Sequence, residues 1–330
     1  MKIGNISLRH GLILAPMAGY TDRAMRLIAS RHGAELSVTE MVSAKAVTFG
    51  DKKTHALARI REDEGPVSLQ LFGSEPDVVA RAASQMQLGE GEGFVPPVAI
   101  DINMGCPVNK IFSNGEGSAL MKDPELIYRI VRAAVSEIDI PLTVKIRAGV
   151  DEEHINAVEC ALAAESAGAS LVAVHGRTRR QLYGGTADWE IIRKVKKSLH
   201  IPVIANGDII DGASAVRALR VTEADGIMIG RGAVGNPFIF DEVRAALDGC
   251  AWCAPTLEEK KAEALRQIEL AVADKGEYVA ITESRKQIAL YFKSYRGSAA
   301  FRRKVNSAVT LDEIRCAFDL CHDSSGEENS

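Results

Sequence analysis

No apolar run in the 330-residue chain approaches the roughly 20 residues that span a bilayer, which excludes a helical membrane protein. The start, Met1-Lys2-Ile3-Gly4-Asn5, has neither an apolar signal core nor a small-residue cleavage site, so a cytoplasmic location is expected. Six scattered cysteines do not make the disulfide framework of a small secreted domain. Cys250 and Cys253 have metal-like spacing, and Cys316, Cys321 and His322 follow in the same region. Without a second well-spaced pair they read as ordinary linker cysteines, and no metal is expected. Low-complexity segments are absent. A net charge of −4 gives no overall sign of a nucleic-acid partner.

At 46% hydrophobic and 25% charged, the composition is that of a soluble globular protein long enough for one large α/β domain and a smaller one. Apolar segments at 13–17, 36–39, 67–71, 98–103, 142–146, 171–175, 203–206 and 226–229 read as strands. They are rich in Val, Ile and Leu on both faces, as strands inside a parallel sheet are. Helical patterns lie between them, at 21–32, 76–87, 123–138, 154–167, 189–198 and 211–219. Eight strands in strict alternation over about 240 residues predict an α/β fold of the (β/α)8 TIM-barrel type. Beyond Phe240 the strands stop, and helices are expected at 257–274, 277–295 and 311–320. The expected divisions are a catalytic barrel at 1–243, a helical domain at 244–321 and a disordered tail at 322–330.

In such a barrel the site is built at the carboxyl ends of the strands. There the sequence puts Met17 after Ala15-Pro16, Glu40 after Thr39, then Gln70, Asn103, Cys106, Lys145, His175 and Asn206-Gly207-Asp208. Each alone fits a satisfied core polar group, and Cys106 alone fits a small buried apolar residue. Together, at corresponding ends of successive strands, they describe a polar pocket. The turns at Asn206-Gly207-Asp208 and Gly230-Arg231-Gly232 follow strands seven and eight, where barrels commonly hold a phosphate on backbone N–H groups. A phosphate site ringed by Gln70, Lys145 and His175 suits flavin mononucleotide, whose reduced ring gains from a cation near N1 and O2. Lys145 is the candidate for that cation. Cys106 is then the proton-exchanging group opposite the flavin.

Several ordered motifs resemble the tRNA-dihydrouridine synthases. They are Leu14-Ala15-Pro16-Met17-Ala18-Gly19-Tyr20-Thr21-Asp22, Gln70-Leu71-Phe72-Gly73, Asp101-Ile102-Asn103-Met104-Gly105-Cys106-Pro107, Lys145-Ile146-Arg147, Val174-His175-Gly176-Arg177-Thr178-Arg179 and Ala205-Asn206-Gly207-Asp208. The helical region, with Arg285-Lys286 and Phe301-Arg302-Arg303-Lys304, looks most like the bacterial B-type branch. The resemblance implies an FMN enzyme that uses NADPH to reduce the C5=C6 bond of particular tRNA uridines. It implies Cys106 as proton donor to C5. Ala15, Pro16, Met17, Gln70, Lys145, His175, Asn206, Gly207, Asp208, Gly230 and Arg231 fall to the flavin, and Asn103 and Arg177 to the uracil pocket.

Between Glu283 and Lys304 stand seven basic residues and one acid, a local +6. With the resemblance in view, this stretch, above all Arg302, Arg303 and Lys304, is expected to grip tRNA phosphates, aided by Arg177, Arg179 and Arg180. The expected partner is tRNA, with no DNA and no membrane, and the protein is expected to be a monomer. A small-molecule flavin barrel of the dihydroorotate or dihydropyrimidine dehydrogenase type is the alternative, and it leaves the basic helical region unexplained. A pure RNA-binding protein is opposed by Cys106, Lys145 and His175.

Overall fold

A computed structural model of the chain describes residues 1–89 and 95–322. The predicted disordered tail therefore lies, beyond His322, outside the described residues. Eight parallel strands form the barrel: β1 (Leu12–Leu14), β2 (Leu36–Val38), β3 (Val67–Phe72), β4 (Ala99–Met104), β5 (Leu142–Arg147), β6 (Leu171–His175), β7 (Val203–Asn206) and β8 (Gly226–Ile229). Strand β8 pairs with β1 at Met228 and Ile13, β1 with β2 at Ile13 and Leu36, and β2 with β3 at Ser37 and Val67. The sheet therefore closes on itself, as expected from the strict alternation. Strand β1 is shorter than predicted, because Pro16 has no N–H to give the ladder.

Side-chain parity divides the strands. Leu69, Leu71, Ile100, Ile102, Val144 and Ile146 point outward into the layer shared with the helices. Ile13, Leu36, Val38, Leu171, Ala173, Ile204 and Met228 fill one part of the interior, capped by Ile3 and Leu8 of the N-terminal segment. The inward positions of β3, β4 and β5 are instead polar: Ser68, Gln70, Asp101, Asn103, Thr143 and Arg147 are all buried. Polar groups at core positions are retained only where they are satisfied or used.

The barrel helices are α1 (Arg23–Arg31), α2 (Pro76–Met86), α3 (Pro124–Val135), α4 (Ala157–Ala167), α5 (Trp189–Ser198), α6 (Gly212–Thr222) and α7 (Ile239–Asp248). Their starts are written locally: Asp22, Asp123, Asp188 and Asp211 each accept a first-turn N–H, and Pro124 opens α3. Helix α7 runs through the expected division at 243/244. Its Ile239, Phe240 and Val243 pack with Leu12, Leu14, Ile227 and Ile229, so by its contacts it belongs to the barrel.

The helical domain has α8 (Leu257–Lys275), α9 (Glu277–Tyr291), α10 (Ser298–Ser307) and α11 (Leu311–Phe318). Helix α10 was not expected, and α9 ends four residues short of the predicted 295. The chain turns at Gly297, in the left-handed region, and starts afresh. Phe292, Phe301 and Phe318 form the centre of this domain, with Phe292 and Phe301 edge-to-face at 4.8 Å. Truncating such a buried ring typically costs about 3–5 kcal/mol.

The domain is tied to the barrel at several points. Glu263 of α8 meets His32, Lys275 bridges Asp22 and Glu283, and Gln287 of α9 donates to the carbonyl of Tyr20. Beneath this junction lies a cavity of about 640 Å³, lined in part by Arg23, Arg59, Lys53 and Lys286.

Candidate active site

Barrel stagger arranges the inward residues in rows across the strands. Gln70, Asp101 and Thr143 are neighbours in register, as are Asn103 and Lys145, and as are Arg147, His175 and Asn206. The upper rows open at the carboxyl ends of the strands. Thus Gln70, Asn103, Cys106, Lys145, His175 and Asn206, separated by up to 136 positions in sequence, share one mouth.

A run of hydrogen bonds ends at the cysteine. Thr143 Oγ1 and Gln70 Nε2 donate to the two oxygens of Asp101, at 2.5 and 2.7 Å. Gln70 Oε1 accepts from Asn103 Nδ2 at 2.8 Å. Asn103 Oδ1 accepts from the backbone N–H groups of Gly105 and Cys106, at 3.2 and 2.8 Å. The turn that carries the thiol is therefore fixed from inside the barrel, and the amide of Gln70 has its orientation set. Burial pushes the Cys106 thiol up from its ordinary range, so it keeps its proton at neutral pH.

Lys145 Nζ donates to Asn206 Oδ1 at 3.0 Å, and Asn206 Nδ2 donates to the carbonyl of Met228. Burial and then Arg147 pull the Lys145 ammonium down to about 8. Burial, followed by Lys145 and three arginines, holds His175 well below its usual range, so its imidazole is neutral. Gly207 sits at φ +117, and a Cβ there would lie 2.9 Å from the His175 ring, so the turn requires glycine. At Gly230 a Cβ would meet only Ala15 and the Met17 sulfur, each at 3.6 Å, so β1 and β8 present an open backbone surface. Ala15 N donates to Ile229 O and Met17 N to Thr21 Oγ1, which shapes the Pro16 turn.

Asp208 behaves differently from its neighbours. Its carboxylate pairs with Arg177 at 2.7 Å, accepts from Ala187 N and lies 3.8 Å from Arg231. Arg177 is also held by the carbonyls of Gly184 and Gly185, yet its buried Nη1 has no hydrogen-bond partner among the described residues. Arg231 is more than half exposed and lies over the ring of Tyr183, 4.9 Å from its centroid. A carboxylate engaged in this way holds the arginines in place.

The structure leaves Arg302, Arg303 and Lys304 apart from the mouth, on the exposed side of α10. Among the described residues no ion pair joins them to an acid. Asp312 is taken by Arg315, and Glu313 accepts the N–H groups of Val309 and Thr310. Arg285, counted in the basic stretch, instead donates to the carbonyl of Ala308 and joins α9 to the end of α10. Cys250, Cys253 and Cys316 are exposed and Cys321 is buried.

Sequence reasoning missed Asp101, Thr143, Arg147 and Tyr183. The first three carried a signal: they share inward parity with Gln70, Asn103 and Lys145. Arg147 ties the loop after β4 to the loop after β6, through the carbonyl of Gly105 in the first and those of Thr178 and Leu182 in the second. Tyr183 lies in an irregular loop, where no periodicity marks it.

A family model described as "Dihydrouridine synthase (Dus)" matches residues 13–323. A probable tRNA-dihydrouridine synthase of Rickettsia conorii is 42% identical over 93% of this chain and 91% of its own. A tRNA-dihydrouridine synthase B of Xanthomonas axonopodis pv. citri is 41% identical over 94% and 92%. Among solved structures, a histamine dehydrogenase from a Rhizobium species superposes with a TM-score of 0.53 at 13% identity, covering 87% of this chain and 50% of that one. At that identity the likeness concerns the fold alone. The family model and the relatives establish that the chain belongs to the dihydrouridine synthase family of enzymes and is similar to its B-type tRNA-dihydrouridine synthases.

Proposed function

We propose that the chain is an FMN-dependent tRNA-dihydrouridine synthase that uses NADPH to reduce the C5=C6 bond of specific uridines, acting as a cytoplasmic monomer. The observation that carries this reading is the fixed Cys106 turn, with its protonated thiol on the same barrel mouth as Lys145 and two glycine turns. The residues present fit FMN. The surface at Gly230 is open, and the mouth places the Lys145 and Arg231 cations among neutral amides.

When bound, FMN supplies the hydride for C6 that it has taken from NADPH. The turns at Asn206–Asp208 and Gly230–Arg231, with the Arg231 charge, would hold its phosphate through backbone N–H groups. Ala15, Pro16, Met17 and His175 would help to hold the rest of the cofactor. Lys145 would supply the positive charge that favours the reduced ring, and Gln70, aimed by Asp101, would offer it an amide. Asp208 acts through Arg177. The target uracil has to leave its stack to reach a pocket of this depth. There Asn103 and Arg177 face it, and Cys106 delivers the proton to C5. Arg302, Arg303 and Lys304 contact tRNA phosphates outside the pocket.

Replacing Cys106 tests this directly. Cys106→Ala should retain flavin and NADPH oxidation yet lose about 10²- to 10⁴-fold in dihydrouridine formation, as expected when a general acid is removed. Parent-level product formation would refute the role of the thiol. Purified protein without flavin absorbance, or turnover on free uracil but not on tRNA, would refute the wider proposal.

A further inference from the structure

The loop that follows β4 carries Cys106, continues through a short helix at Asn109–Ser113 and returns to its start. There Ser118 N and Ser118 Oγ both donate to the Cys106 carbonyl, at 3.1 and 2.8 Å. Among the described residues no hydrogen bond from the barrel interior reaches the outer end of this loop. What holds that end is Arg179, from the loop after β6. Its guanidinium lies over the Phe112 ring, 4.0 Å from the centroid, and its Nη2 donates to Asn109 Oδ1 at 2.5 Å. A second cation, Lys122 Nζ, is 4.4 Å from the same centroid. Arg179 is itself anchored, its backbone N–H donating to Gly149 O at 2.9 Å. Its neighbour Arg180 is exposed, whereas Arg179 is folded down onto the loop. The sequence had grouped Arg177, Arg179 and Arg180 as one RNA-facing cluster, and the geometry separates them.

We propose that Arg179 is a positioning residue that latches the Cys106 loop shut through Phe112 and Asn109, and is not a phosphate contact. The inference rests on the role given to Cys106 above, and it adds a second restraint to the one supplied by Asn103. The Asn103 bonds fix the turn at the thiol, and the Arg179 contacts fix the far end of the loop. A guanidinium suits this role because it stacks flat on a ring while its fork donates in the ring plane, which an ammonium cannot do.

The test reads the thiol without requiring turnover. The Cys106-containing peptide is followed by mass spectrometry during iodoacetamide labelling, with exposed Cys250 and Cys253 as internal controls. Losing a cation–π contact and a hydrogen bond should raise the Cys106 labelling rate on the order of tenfold in Arg179→Ala and in Phe112→Leu. The controls should not change, and Arg179→Lys should restore only part of the protection. The double variant should fall short of the product of the two single effects, since both remove the Arg179–Phe112 contact. On tRNA, kcat should fall while KM and the salt dependence of affinity stay as in the parent.

Unchanged Cys106 labelling in both single variants would overturn the latch. So would a salt slope shallower by about one, which is the signature of a lost phosphate contact. A chain inactive on tRNA would refute the function proposed above yet leave the labelling result to decide the latch.

Discussion

His32 offers a measurable test of how the helical domain is fastened to the barrel. It follows α1 and faces carboxylates from two other helices. Its Nδ1 is paired with Asp241 of α7, and its Nε2 lies 3.3 Å from Glu263 Oε1 of α8. Arg31, Arg266 and Arg244 also reach these carboxylates, so His32 is one cation among four. Burial pulls the imidazole down, but Asp241 and Glu263 outweigh it and raise its pKa from 6.5 to about 9. Such a shift stabilises the fold fully below pH 6.5, and the contribution is lost as pH rises through 9. The whole shift corresponds to about 3 kcal/mol, most of which operates at pH 7. With an unfolding entropy of roughly 2 cal/mol/K per residue, His32→Gln should lower Tm by about 3–4 °C at neutral pH. Denaturant midpoints of parent and variant, taken at pH 7 and pH 10, provide the assay. The gap should be largest at pH 7 and nearly vanish at pH 10. A gap of equal size at both values would mean that the edge-to-face packing of His32 on Phe238 carries the effect and its charge does not.

Lys145, pulled down to about 8, loses its charge as pH rises through that value, so flavin affinity should weaken between pH 7 and pH 9.5. Lys145→Met should bind flavin more weakly at pH 7 and show a flatter profile, and a parent whose affinity is constant over this range would refute the assignment. Reversing charge at Arg302, Arg303 and Lys304 together should weaken tRNA binding and lessen its salt dependence while NADPH-driven flavin reduction is unaffected. Equal affinities and slopes at two salt concentrations would make α10 a solvated face.

The barrel was legible because parallel strands leave two marks at once, apolar residues on both faces and glycine or proline at the exit. Lys145, His175 and Asn206 stood out as polar residues at the ends of such strands. The role of Asp101 was hidden, because alternation shows that it points inward but not what it meets. Its partners Gln70 and Thr143 follow only from the register of closed strands. The ion pair of Asp208 was hidden for a related reason. Its charge is engaged by Arg177, 31 positions away, through a loop with no periodic pattern. Helix α10 presents Phe301 and Val305 to the core within ten residues, a repeat too brief to stand out. Counting charges likewise could not reveal that Arg285 is held by a carbonyl.

One loop connects the two domains to the candidate chemistry. Met17 N donates to Thr21 Oγ1, Tyr20 O accepts from Gln287, and Asp22 holds Lys275, all within the seven residues from Pro16 to Asp22. Gln287 is itself fixed by Gln267, which in turn accepts from the Tyr291 hydroxyl, so three buried polar groups of α8 and α9 converge on that loop. Buried amides of this kind are costly to leave unpaired, by about 1–3 kcal/mol each. Undocking the helical domain would break the Gln287 bond to the Tyr20 carbonyl and the Lys275–Asp22 ion pair together. The domain therefore helps to hold β1's exit in the shape that Met17 and Ala15 present to the mouth. Its role extends beyond the exposed cations of α10.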